Sequence, residues 1–317
     1  MNDRESKFPK PGPVAAIVVM AFELVMAFYG FSLAQYYLGM WGLVITEIGC
    51  LLIGLIAALV VGLDIKQMLP LKRIRVNEFF GTLMMWGGSL LCTLIINLAL
   101  FSVFPGGITK NAELNDFTST WPAGAALFVV SVMPAICEET LHRGFIQRCI
   151  MTKVKSKFLV CFIMALFFGL FHMDFYRFLG TAFLGGVMAY ILCTTDNFFY
   201  NMLFHFVNNL FAEVISLYSA NSLANDATNQ VADKLSGVLP VAFGVYCVIG
   251  CVAPLLMLGG SMLLKGKRRL LEEGKKKLII SIVAAIVIAA ALFVTGCLIM
   301  FYFIYTGQMS GIMEGLN

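Results

Sequence analysis

Apolar runs long enough to cross a bilayer follow one another along the chain, separated by short polar turns. They read at about 14–36, 42–63, 79–104, 122–150, 158–173, 178–195, 198–218, 238–264 and 278–306, because roughly 20 helical residues cross a hydrocarbon core of about 30 Å. The fifth and sixth runs are short for that thickness, so the pattern predicts nine spans, with eight as the alternative count. The polar stretches at 105–121 and 219–237 are the longest connections, and the second reads either as a plain connector or as a lid over a cavity. No connection is long enough for a separate soluble domain. The expected fold is therefore all-α, a polytopic transmembrane helical bundle forming a single membrane domain over 1–317, with its chemistry concentrated in 122–218.

Composition agrees with that pattern. The chain has 317 residues, of which 60% are hydrophobic and 13% charged, with a mean hydropathy of +0.89; soluble domains carry far more charge. The basic residues set an orientation. If the spans alternate, all of the 22 Lys and Arg except Lys110, Arg177 and Lys234 fall on one side, which the positive-inside bias makes cytoplasmic. This predicts a multi-pass protein of the cell (inner) membrane with a cytoplasmic amino terminus and an extracytoplasmic carboxyl terminus. The net charge of +4 is accounted for in the same way and calls for no nucleic-acid partner. The first span follows a basic start and carries the small-x-small sequence Ser32-Leu33-Ala34, but it is longer than a signal h-region and reads as a retained helix. The nine cysteines, among them Cys50, Cys92, Cys161 and Cys297, have neither paired nor metal-type spacing.

Against this apolar background a few polar side chains stand at membrane depth, where ionisable groups are costly and mark function by default. Spans four and five make a hairpin about the basic turn 153–157. Glu138 and His172 each lie about 17 residues, roughly 20–25 Å, from its centre, so they share a depth. Spans six and seven turn near Asp196-Asn197, which brings His205 and Asn209 to a similar layer. Glu139 and Arg143 are i,i+4 and suited to pair on one helix face. Glu138 lies about 100° away on the adjoining face, outside that pair. A glutamate beside a histidine in a dry site is equipped to take a proton from water, and His205 with Asn209, also i,i+4, is equipped to donate to an oxyanion. Pro134 reads as a kink in span four, either for packing or to admit water. Gly180, Gly185 and Gly186 read as close-packing positions.

The order Glu138-Glu139-x-x-x-Arg143-Gly144, Phe168-x-x-x-His172 and His205-x-x-x-Asn209 resembles the three motifs of the CPBP intramembrane protease family, also known as the ABI or CAAX amino-terminal protease family, which includes the type II CAAX prenyl endopeptidases. The likeness covers about 135–210. It implies an endopeptidase in which Glu138 and His172 activate water, His205 and Asn209 hold the oxyanion, and Glu139 and Arg143 brace the first motif. Its substrate would be a membrane-associated peptide or protein, and no cofactor is required.

Three other readings stand beside this one. His142, where many relatives carry an aromatic residue, could join His172, His205 and Glu138 as zinc ligands of a metalloprotease, although no His-Glu-x-x-His spacing is present. In the glutamate mechanism His142 is instead peripheral, and an aromatic replacement should be tolerated. A non-catalytic immunity or scaffold protein would keep the polar network as a helix fastener. A proton-coupled transporter would use the intramembrane acids Glu23, Glu47 and Glu213, but no broken helices in repeated halves are evident.

Overall fold

The computed structural model describes residues 11–104, 106, 121–223 and 228–306. Arg4, Lys7, Lys10 and Lys110, nearly all of the expected 105–121 connection, and 224–227 of the second lie outside the described residues, as does the side chain of Lys234. Every regular element among the described residues is helical: α1 Pro13–Leu38, α2 Met40–Val61, a short α3 Ile65–Met68, α4 Val76–Val103, α5 Ala123–Met151, α6 Lys157–Phe171, α7 Phe175–Thr195, α8 Phe198–Leu223, α9 Thr228–Gly250, α10 Ala253–Glu273 and α11 Lys275–Tyr305. The chain is an all-α, polytopic helical bundle of membrane type.

Local chemistry explains the boundaries. Pro13 starts α1, where its missing N–H costs nothing. Gly62, with φ of +67°, closes α2, and the Leu63 N–H returns to the Ala58 carbonyl at 2.8 Å. Asp64 caps α3 by accepting from the Lys66 and Gln67 amides, and Ser156 caps α6. The eighth apolar run is divided between α9 and α10 by a turn at Cys251–Val252, with Pro254 in the first turn of the new helix. The fifth run forms a helix of only 15 residues, in keeping with its short apolar stretch. The sixth begins earlier than its hydropathy suggests and gives 21 residues. Most of the second polar stretch continues α8 and α9 rather than forming a loop.

The chain divides into two compact units. The first comprises Met1–Arg75, Thr120–Asp174 and Thr181–Glu213, and the second Val76–Ser119, Phe175–Gly180 and Val214–Asn317. In the second unit glycines permit close helix approach. A Cβ on Gly81 would meet the Gly260 carbonyl oxygen at 3.0 Å, and one on Gly296 the Gly244 carbonyl oxygen at 2.5 Å, the small-residue contact expected where lipid supplies no hydrophobic drive between helices. The first unit contains all three sequence motifs. Over their most apolar 18 residues, α5 and α7 are 56% buried, whereas α11 is 6% buried; α5, which carries the first motif, is thus among the enclosed helices.

The α7–α8 turn is tied to a distant part of the first unit. Asn197 accepts from the Lys72 amide, Phe198 N–H donates to the Pro70 carbonyl, and the Tyr200 hydroxyl accepts from the Arg75 amide. Asp196, in a left-handed conformation with φ of +49°, receives Arg148 at 2.6 Å and also Lys72.

Candidate active site

Helix α5 is irregular where its chemistry lies. It is π-helical over Phe128–Val132 and again over Thr140–Ile146, the kind of widened turn that recurs at functional sites. Glu138 and Glu139 end the regular segment between them. Arg143, in the second widened turn, has no exposed surface. Its Nη1 donates to Glu139 Oε1 at 2.8 Å, its Nη2 to the Gly185 carbonyl at 3.4 Å, and its guanidinium carbon stands 4.2 Å from the Phe168 ring centre. A buried cation is tolerated only when paired and hydrogen-bonded in this way.

Glu139 does more than pair with Arg143. The same Oε1 accepts from His205 Nδ1 at 2.8 Å. A carboxylate can only accept, so Nδ1 carries the hydrogen and the other ring nitrogen is directed elsewhere. That nitrogen, Nε2, lies 3.9 Å from Glu138 Oε2. The first and third motifs therefore meet directly, through Arg143, Glu139, His205 and Glu138 in sequence.

The second motif joins them through Phe168. Its ring has His172 at 4.8 Å, His142 at 5.2 Å and His205 at 5.8 Å between centroids, so all three histidines and Arg143 surround one aromatic ring. Helix α7 approaches closely because residue 185 is glycine; a Cβ there would meet the Phe168 Cβ at 2.6 Å. His172 caps the end of α6, with Nδ1 bonded to the Phe168 carbonyl at 2.8 Å. Nδ1 is the donor, which leaves Nε2 as the acceptor nitrogen of the neutral ring. The next residue, Met173, has φ of +48°, so the chain reverses immediately after the imidazole.

Asn209 is held from the other end of α5. Pro134 has no N–H to offer the carbonyl of Val130 four residues earlier, and that carbonyl accepts from Asn209 Nδ2 at 3.0 Å. Asn208 Nδ2 donates to Asn209 Oδ1 at 3.2 Å. An amide group has two N–H donors, and the Val130 bond uses one.

Sequence reasoning placed Glu23 and Glu47 near mid-span without an identifiable partner, and in the glutamate mechanism it made His142 peripheral. All three are buried. His142 is not peripheral: its ring packs on Phe168 and Phe171, its Nδ1 bonds the Glu138 carbonyl at 3.0 Å, and its Nε2 faces Glu23 Oε2 of α1 at 3.5 Å. The signal for Glu23 was its acidity at mid-span, but its partner is more than 100 residues away. Glu213 is buried on α8. Among the described residues no three His, Cys, Asp or Glu side chains are grouped so that they could hold a metal ion. The imidazoles use Nδ1 on Glu139, on the Glu138 carbonyl and on the Phe168 carbonyl.

Residues 120–211 match the family model described as type II CAAX prenyl endopeptidase Rce1-like. No curated protein and no solved structure matches the chain. The matched segment carries all three motifs and the whole hydrogen-bonded cluster around Glu139, and over that segment the chain is similar to the CAAX protease, or CPBP, family.

Proposed function

We propose that this membrane protein is an intramembrane endopeptidase that hydrolyses a peptide bond with water activated by Glu138 and His172. The observation that carries the reading is the sharing of Glu139 Oε1 between Arg143 and His205, which turns His205 Nε2 toward Glu138. The Glu138 carboxylate takes a proton from water, and His172 Nε2, an acceptor because Nδ1–H is spent on the Phe168 carbonyl, orients that water. As the water oxygen adds to the scissile carbonyl, the oxyanion receives the second N–H of Asn209 and an N–H from His205 Nε2. Donation from Nε2 requires the imidazolium form, which here stands between two carboxylates. Collapse breaks the C–N bond, and the Glu138 carboxyl returns its proton to the leaving amine. The products are one carboxylic acid and one amine, which ionise to carboxylate and ammonium in water, and the proposed steps use no metal.

The substrate class is a peptide or protein held at the membrane. Similarity to the type II CAAX prenyl endopeptidase family supports a prenylated CAAX carboxyl terminus, and a peptide precursor is the other form such a substrate takes. We further infer that the protein resides in the cell (inner) membrane with its amino terminus cytoplasmic, on the distribution of Lys and Arg. In liposomes the purified protein is expected to cleave a farnesylated CAAX peptide or an unprenylated leader peptide. Glu138→Gln is expected to abolish cleavage while the protein stays folded, Glu139→Gln to leave measurable turnover, and zinc chelation to inhibit little. Wild-type turnover in Glu138→Gln would remove the general base from the mechanism; stoichiometric zinc lost together with activity would make the enzyme a metallopeptidase.

A further inference from the structure

Glu23 and His142 face each other with no exposed surface on either side chain. His142 Nδ1 lies 3.0 Å from the Glu138 backbone oxygen. A carbonyl only accepts, so Nδ1 holds a hydrogen and a neutral ring would have a bare lone pair at Nε2. That lone pair lies 3.5 Å from Glu23 Oε2, and neither atom has another hydrogen-bond partner among the described residues. Two acceptors in a buried site, too close for an intervening water, are unfavourable unless a proton lies between them. The proton is held either as a Glu23 carboxyl donating to Nε2 or as an imidazolium donating to the Glu23 carboxylate. In both forms the pair is neutral, which suits a site that already contains Glu138, Glu139 and Arg143.

The pair's location gives it a task. His142 follows Glu138 by one turn, at the point where α5 passes from regular to π-helical geometry. Its ring is clamped by Phe168 and Phe171 of α6 and faced by Glu23 of α1. The charged and titratable groups within electrostatic reach are Arg143 and Glu138 on its own helix, His172 and His205 from α6 and α8, and, through Glu23, Glu47 of α2. A ring fixed on both nitrogens fixes the carbonyl it bonds, and therefore the backbone from which the Glu138 side chain projects.

We propose that Glu23 and His142 share one proton and act together as positioning residues for Glu138. The proposal rests on the peptidase reading for its kinetic consequence but not for the shared proton, and the two are tested separately. The chain has only three histidines, so ¹⁵N-histidine NMR of the full-length protein in detergent or lipid resolves them, with His142→Phe giving the assignment. In the wild type at neutral pH, His142 Nε2 should show a protonated or strongly hydrogen-bonded signal, and Glu23→Leu should convert it to a bare ring nitrogen. A bare Nε2 in the wild type overturns the shared proton, whether or not the protein is a peptidase. In the peptidase assay Glu23→Leu should lower kcat about tenfold or more with KM within about twofold. Glu23→Gln, whose amide can still donate to Nε2, should stay close to wild type. Adding His142→Phe to Glu23→Leu, which removes both buried polar groups, should restore most of the lost kcat. Unchanged kcat in Glu23→Leu, or purely additive losses in the double variant, overturns the positioning role. A wild-type protein without peptidase activity would refute the enzymatic reading while leaving the NMR result to decide the pair.

Discussion

Single oxygens and nitrogens decide what this cluster can do. Glu139 Oε1 takes two donors, one from a guanidinium and one from an imidazole, and this leaves Glu138 as the carboxylate that His205 Nε2 approaches. The i,i+4 spacing of Glu139 and Arg143 was enough to anticipate their ion pair, because that geometry is internal to one helix. The His205 bond to Glu139 crosses 66 positions and has no local signature. The same applies to Glu23, whose partner His142 lies on another helix, and to Phe168, which the sequence marked only as the start of a motif. Asn209 illustrates the limit in detail: its spacing from His205 suggested a shared face, whereas its bond to the Val130 carbonyl depends on a proline in α5. If its second N–H serves the oxyanion, Asn209→Ala should lower kcat by about 10²–10³-fold with a smaller effect on KM. A change confined to KM would move Asn209 into substrate binding.

At the scale of elements, the hydrophobic pattern located the helices well because apolar length is a property of each run by itself. It did not reveal the π-helical turns in α5, which conserve composition and alter only the hydrogen-bond register. Nor did it place the division between α9 and α10, where two non-helical residues and a proline break the helix although the apolar sequence runs on. Pro134 was legible as a disturbance in α5 but not as the residue whose missing N–H lies opposite the carbonyl that Asn209 bonds. Its removal separates helix regularity from site geometry. Pro134→Ala supplies an N–H at 134 that can compete for the Val130 carbonyl, and it also relieves a cost of about 3 kcal/mol typical of proline inside a helix. The expected result is an apparent melting temperature in detergent no lower than wild type, together with a kcat reduced about tenfold as Asn209 loses its anchor. Asn209→Ala should then cost less in the Pro134→Ala background than alone, since the two act on one interaction. Wild-type kcat in Pro134→Ala would show that the Val130 bond does not position the amide.

Across the whole molecule, the site depends on where α8 begins, because His205 and Asn209 are placed by counting turns from the Asp196–Asn197 corner. That corner is tied to residues 70–75, some 125 positions away along the chain, as well as to the helices it connects. Asn197 is almost fully buried in this latch, while the Asp196 side chain is half exposed between Lys72 and Arg148. Partial burial alone would raise the Asp196 pKa, but hydrogen bonds and charges from Lys72 and Arg148 together outweigh it and hold the carboxyl below its usual range. A carboxyl with a lowered folded-state pKa contributes stability above its unfolded value, about 3.9, and loses that contribution as pH falls through the folded value. The contribution is small, about 0.2–1 kcal/mol for exposed ion pairs, and is screened by salt. Asp196→Asn should therefore lower the apparent melting temperature slightly at pH near 7 and low salt, with the difference from wild type closing below a pH of about 4 and at high ionic strength. A gap that persists in acid would mean that the Asp196 charge is not what secures the corner, and that the buried Asn197 hydrogen bonds carry the registration of α8 by themselves.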